Sequence, residues 1–449
     1  MKKSALFKLA IPIFLQLLLF NLISTVDTLM INEYNKNYVL SMNNANQVVS
    51  MLNVLLTIVS TGVAIVISQY LGAKKEEDAK KAFNNGVIFN EGLSLILFII
   101  LITLREPLLN LIGCPEAYIQ GASEYLLIVS FGFPFYSVTN VCYANLRSHK
   151  KPAATMIIAV IVNLVNMGLN WLLIFGNWGL PELGIQGAAI ATLVSYVLAF
   201  AITLISTPLI LKKKIYEFKF SKTHLMQIIK IGLPSALESI TYTITGLFVQ
   251  AAVNNLTKTD MFARSYINII MGYIYMFSVA FGQANSILVG HDVGKGDYDT
   301  AKKRTWQSFL LCYPILIVII VILLFIGRYI IGAMNSDEVI ITIAISVIPW
   351  FFYYETGRCI NLIFINALKA SGDVHFPLIC AIISNLLFSA LGSWVFGVWI
   401  GWGFLGIFLA QASDEFIRGI FMLWRWQSNR WKNKAIIKNE NKTKEQVVE

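Results

Sequence analysis

Apolar runs of about twenty residues follow one another along nearly the whole chain, broken by short polar or glycine- and proline-marked segments. Stretches such as LSLILFIILITL and PILIVIIVILLFIG are apolar on every face. A half-buried strand would alternate, and a surface helix would keep one polar side. A helix of about twenty apolar residues crosses the roughly 30 Å of a bilayer's hydrocarbon while satisfying its own backbone groups. A closed barrel would instead need alternating ten-residue strands. The pattern predicts helices over 8–31, 47–70, 87–104, 118–146, 153–176, 184–211, 228–253, 264–289, 308–331, 340–368, 377–400 and 403–424. The fold class expected is an all-α integral membrane protein with twelve transmembrane helices. Helix 1 is expected to stay in the chain, since no small-residue cleavage site follows it.

The chain also resembles itself at an offset of 222 residues. Pro12 in LAIPIFLQ meets Pro234 in IGLPSALE, with Gln16 opposite Glu238. QYLGAKKEEDAKKA meets HDVGKGDYDTAKKR, setting Gly72 on Gly294, and Arg147 meets Lys369. Farther along the register drifts, so that Pro152 meets Pro377 and Gly184 meets Gly403. Six helices per half, entering from one side, make a parallel repeat. Two pseudo-symmetric six-helix lobes are therefore expected, 1–211 and 228–426, joined by the basic stretch 212–227 and followed by a polar tail, 427–449. The paired glycine loops read as structural turns rather than phosphate cradles, because they recur in both halves beside solvated charges.

Composition agrees with the pattern. Of 449 residues, 57% are hydrophobic and 13% charged, about half the charged share of a soluble domain, which excludes a soluble enzyme of this length. Basic residues favour the cytoplasmic side of a membrane. With the N-terminus inside, 29 of the 35 Lys and Arg fall in cytoplasmic segments, which places both termini in the cytoplasm of a cell bounded by its plasma membrane. The net charge of +10 follows from this bias and gives no reason to expect a nucleic-acid partner. The five cysteines and four histidines are scattered, so no metal site is read, and no Walker-type loop is present to hydrolyse ATP.

Ionisable groups in hydrocarbon are costly, so each is a candidate for function. Asp27 lies about four residues, or roughly 6 Å, from the outer end of helix 1. On helix 5, Asn163, Asn166 and Asn170 share one face. Asn170 and Thr192 of helix 6 stand at a depth similar to that of Asp27. A carboxyl among amide and hydroxyl groups can hold a proton or a sodium ion, so these five residues form the expected cation-coupling set. In the second half, Glu238 on helix 7 and Glu355 with Arg358 on helix 10 are candidates for substrate binding or a second coupling site. Glu355 and Arg358, three residues apart, also fit a structural pair that neutralises itself. Asp414, Glu415 and Arg418 read as a structural cluster near the cytoplasmic face, and Glu91 likewise as structural. Tyr266, Tyr273, Tyr275, Met271 and Met276 of helix 8 fit either packing or the lining of a cleft for flat organic cations.

These elements, taken in order, resemble the multidrug and toxic compound extrusion (MATE) family. The matching segments are Pro12 and Gln16 followed by Asp27, SQYLGAKKEEDAKKA, NLRSHKKPAATM, VNLVNMGLNWLLIFGNWGLPELGIQGAAIATLVSY, IGLPSALES, LVGHDVGKGDYDTAKK and the closing DEFIRGIFMLWRW. The resemblance covers nearly the whole chain. It implies proton- or sodium-driven antiport of amphipathic, often cationic, drugs and metabolites through two six-helix bundles, with Asp27 as the acid of the first lobe and Asn166, Asn170 and Thr192 as its companions. Two departures stand out: some members carry a second acid on helix 5 where this chain has Asn170, and NLRSHKKP lacks the glycine usual after the arginine. The expectation is a secondary antiporter, not an enzyme, that exports small drug-like molecules, works as a monomer in the bilayer, and needs no cofactor beyond H+ or Na+ as the coupling ion. The nearest alternative is a flippase for lipid-linked saccharides, which wants a cationic cavity where this chain offers only Arg358 as an obvious intramembrane cation. A membrane-embedded enzyme would want histidines or paired acids at one depth, and a channel would not drive uphill flux.

Overall fold

The computed structural model describes residues 4–217 and 219–437 of the chain, so Lys2, Lys3 and the expected polar tail from 438 onward lie outside the described residues. Every regular element among the described residues is helical. In order they are α1 (Ser4–Tyr34), α2 (Lys36–Gly72), α3 (Glu76–Leu111), α4 (Glu116–Ser130), α5 (Phe133–Ser148), α6 (Pro152–Phe175), α7 (Ile185–Leu211), α8 (Lys222–Val253), α9 (Lys258–Gly294), α10 (Tyr298–Met334), α11 (Glu338–Ser346), α12 (Phe351–Ala370), α13 (His375–Ser384) and α14 (Gly403–Gln427).

Twelve spans emerge from these helices, and the exceptions have physical causes. Ten are long and apolar enough to cross a membrane as they stand. The expected fourth span, 118–146, is broken: α4 and α5 meet at 57°. Pro134, in the first turn of α5, cannot donate a backbone hydrogen bond to Ser130, and a Cβ on Gly132 would strike the ring of Tyr196. The tenth span joins α11 to α12 through a 3₁₀ turn, Ile348–Trp350, containing Pro349. In the eleventh, α13 runs on into two π-helical stretches, Asn385–Leu391 and Ser393–Trp399. The twelfth, α14, is 25 residues long but carries Asp414, Glu415 and Arg418 in its middle, so composition alone does not mark it as apolar. Several helices begin well outside their apolar runs. α2 starts at Lys36 and α10 at Tyr298, where Asp297 caps the first turn by accepting from Thr300 N at 3.0 Å. Hydropathy reports only the part of a helix that sits in hydrocarbon.

Two compact units form. One gathers residues 15–71 and 75–233. Its core includes Ile31, Leu56, Leu101, Leu126, Phe133 and Ile174. Here α2 and α8 cross at two glycines: a Cβ on Gly62 would collide with the carbonyl oxygen of Ile228, and one on Gly232 with that of Ile58. The absence of side chains lets the two backbones touch. The same unit anchors the stretch after α7. The amide of Asn84 donates to Ile215 O (2.7 Å) and its oxygen accepts from Glu217 N (2.8 Å), while Asn85 accepts from Ser221 N (2.7 Å). Lys213 bonds Glu76, and Lys80 bonds Glu217 at 2.9 Å.

The other unit gathers residues up to Phe14, Gly72–Lys74, and Pro234 onward. α12 and α14 lie backbone to backbone, with the Gly419 Cβ position 2.8 Å from Gly357 O. The first turns of α1 pack on α9 through Phe7 with Phe281 and Phe14 stacked on Phe277 at 4.1 Å. The boundary between the units thus falls inside α1 and α8, within two residues of Pro12 and at Pro234.

Candidate functional site

Asp27 sits seven residues before the end of α1, half-buried. α6 brings three buried asparagines in line, because a spacing of three or four residues returns to the same helix face. The amide nitrogen of Asn170 donates to Asp27 Oδ1 at 2.6 Å and to Asn166 Oδ1 at 3.2 Å, making a chain of three side chains between two helices. Asn163 is buried one turn beyond Asn166, and its amide nitrogen has no hydrogen-bond partner among the described residues, nor does the oxygen of Asn170. Thr192, on α7, donates to Ala188 O at 2.9 Å. Tyr125 of α4 is buried within hydrogen-bonding reach of Thr192 and Asn46. Nothing in the sequence distinguishes Tyr125 from the other tyrosines; only the packing of α4 against α7 brings it here.

Such an arrangement suits an acid that changes protonation or ion occupancy. An amide donates to a carboxylate and accepts from a carboxylic acid through its other atom, so either state of Asp27 finds a partner. The Asn170 oxygen, without a hydrogen-bond partner among the described residues, can accept a hydrogen bond from a protonated acid or coordinate a monovalent cation.

In the second repeat, the candidates fall into two groups. Glu238 on α8 meets Lys369 on α12 at 2.8 Å, both side chains 15% exposed. The partner of Glu238 comes from the last turn of another helix, α12. Glu355 and Arg358 do pair, at 2.7 Å, with Glu355 fully buried. Arg358 also lies 4.2 Å from the ring centre of Tyr354 and 5.4 Å from that of Tyr275, which places Tyr275 of α9 beside it. Met271 and Met276, on the same helix, are buried. Arg418 reaches Asp414 at 2.8 Å and Glu415 at 3.2 Å, and Asn361, one turn from Arg358, donates to Glu415 at 2.8 Å. The two clusters expected separately from the sequence thus lie a turn apart along α12, where that helix meets α14 at Gly357 and Gly419. Glu91, on α3, accepts from Ser137 at 2.6 Å. Among the described residues, no group of three His, Cys, Asp or Glu side chains is placed to hold a metal.

Outside the apolar spans, Glu217 is held at about 2, well below the ordinary carboxylate range, by its bonds to Lys80 and then Lys219. The linker that carries it is a fastened strap.

Comparison with known proteins gives one answer. The model of the MatE family matches residues 12–172 and again 234–395, starting at Pro12 and at Pro234, the two positions related by the internal repeat. The chain is 29% identical over 439 residues to the uncharacterized transporter YisQ of Bacillus subtilis, covering 97% of this chain and 96% of that one. It is 25% identical over 448 residues to a probable multidrug resistance protein NorM of Thermotoga maritima, covering 98% and 95%. Among solved structures, the fold is similar to that of a Vibrio cholerae MATE transporter (TM-score 0.88, 16% identity, 96% and 98% covered). It is similar also to a MOP superfamily transporter of Pyrococcus furiosus (TM-score 0.85, 18% identity, 96% of each covered). A family model that matches twice and spans most of the chain makes this protein a member of the MatE family, a membrane transporter and not an enzyme.

Proposed function

We propose that the protein is a secondary antiporter of the plasma membrane that exports small amphipathic or cationic organic compounds in exchange for protons or sodium ions. The observation that carries this reading is the bond between Asn170 and Asp27, an intramembrane carboxyl held by an amide that tolerates it charged or neutral. Asp27 is the residue that takes and gives up the coupling ion, with Asn163, Asn166, Asn170 and Thr192 around it. Similarity to proteins described as probable multidrug resistance proteins supports the class of cargo. Glu238, Glu355 and Arg358 serve the cargo or a second ion. The lobes 1–211 and 228–426 alternate access to these groups, both termini facing the cytoplasm, in a monomer. For a lipid-linked saccharide, buried cations would have to meet a diphosphate; Arg358 and Arg418 are each already held by carboxylates, which favours organic cations as cargo.

The test is uphill flux. Purified protein in proteoliposomes is given an inward proton or sodium gradient and a fluorescent organic cation. Accumulation against the cation's own gradient, abolished by collapsing the ion gradient, supports the antiporter. Flux that only ever runs downhill would assign a channel instead.

A further inference from the structure

The last turns of α14 expose Ile420, Phe421 and Trp424, at 49, 46 and 50%, the face of a spanning helix that lipid chains cover. Beyond Gln427 the chain does not trail away. Asn429 adopts a left-handed φ of +59° and starts a 3₁₀ turn, Arg430–Lys434. Trp431 is fully buried, stacked on Trp426 at 4.0 Å, its indole nitrogen donating to Trp426 O at 2.8 Å, and its edge against Tyr298 at 5.7 Å. Insertion of Trp431 fixes the register of the turn, so its neighbours face outward at set positions. Arg430 returns over the exposed ring of Trp424, 5.7 Å from its centre. Among the described residues no carboxylate pairs with Arg430. Lys432 is 3.9 Å from Asp299, and Arg425 is paired with Asp373. Lys434 is exposed.

We propose that Trp424 and Arg430 form a binding site for an anionic phospholipid. The phosphate sits on the guanidinium, which offers a planar pair of donors, and an acyl chain lies along Trp424, Phe421 and Ile420. Charge selects the ligand: Arg430 and Lys434 bring positive charge to the boundary with no paired acid among the described residues, and anionic headgroups gain from it where zwitterionic ones do not. The apolar face directly below Arg430 selects a lipid over a free anion, because only a lipid covers both. The aromatic ring suits the headgroup level of a bilayer.

The full-length protein, delipidated in detergent, is titrated with phosphatidylglycerol or with phosphatidylcholine of the same chains and read by native mass spectrometry. The first phosphatidylglycerol binds more tightly than the first phosphatidylcholine. Arg430→Gln weakens the former by about fivefold, the worth of one basic residue at a lipid surface, and leaves the latter unchanged. Arg430→Lys retains most of the difference, and Lys303→Gln, at an exposed position on α10, has no effect. Trp424→Ala loses affinity for the lipid. The assignment is overturned if Arg430→Gln and Trp424→Ala bind phosphatidylglycerol as wild type does, if the two lipids bind alike, or if millimolar inorganic phosphate displaces the lipid.

Discussion

Lys369 closes an ion pair on Glu238 at 2.8 Å, and the internal repeat matches these positions to Arg147 and Gln16. Where one half of the chain has a carboxylate answered by a lysine, the other has an amide; Gln16 accepts from Thr155 at 2.9 Å. The pair is largely sequestered, so removing one partner leaves an uncompensated charge. Glu238→Gln is expected to lower stability by about 3 kcal/mol. Adding Lys369→Met should restore much of it. A double-mutant cycle on thermal unfolding in detergent checks this; additive losses would mean that the pair contributes nothing.

Asp27→Asn keeps size and hydrogen bonding and fixes the neutral state. The variant should insert and purify like wild type and lose at least 90% of gradient-driven export, roughly the loss for removing an essential proton carrier. Asn170→Ala removes the amide but keeps the carboxyl of Asp27, and should reduce export less. Wild-type flux from Asp27→Asn at equal expression would remove this residue from the coupling step.

The glycine contact between α2 and α8 gives a steric prediction. A methyl group at Gly62 or Gly232 meets a backbone oxygen that cannot move aside as a side chain would. Gly62→Ala and Gly232→Ala should each cost about 1–3 kcal/mol of stability, the usual penalty of overpacking. Unchanged melting temperatures in both variants would argue that the helices separate freely.

Asn84 and Asn85 pin the linker through its backbone. Replacing both by alanine removes three hydrogen bonds worth roughly 1 kcal/mol each and should raise the rate of trypsin cleavage at Lys213 and Lys219 on the order of a hundredfold. The ion pairs of Glu217 add a pH limit. Its carboxyl is depressed from an ordinary 4.5 to about 2 by Lys80 and Lys219. Stability from this source is therefore complete above 4.5 and lost only as pH falls toward 2. Cleavage rates at pH 6 and pH 8, corrected for the enzyme's own profile, should agree.

Sidedness is tested at Lys213. In a background without the five native cysteines, Lys213→Cys should resist an impermeant thiol reagent in intact cells and react once the membrane is opened. Reaction in intact cells would place the linker outside.

The all-helical membrane fold was readable because uninterrupted apolar runs admit no other solution in hydrocarbon. α14 was readable despite its three central charges, since its flanks are apolar; those charges are answered by Asn361 and by each other. The break at Gly132 was not, because an apolar run reports transfer into lipid and is silent on the direction of the helix axis. Counting residues back from the helix ends puts Asp27 and Asn170 at a similar depth, while their contact comes from how α1 and α6 pack. Tyr125 and Lys369 could not be found that way: each reaches its partner from another helix through side-chain geometry that no spacing within one helix encodes.

The placement of the boundary between the compact units beside Pro12 and at Pro234 bears on how the chain is assembled. A gene cut between the two repeats would yield fragments 1–221 and 222–449, neither of which owns all the pieces of a compact unit. The first would lack the opening turns of α8 that close on α2, and the second the opening turns of α1 that close on α9. Each fragment made alone would thus expose apolar surface that only the other can cover. Made together in one cell, they would find each other and reconstitute the transporter, as exchanged arms hold a swapped dimer.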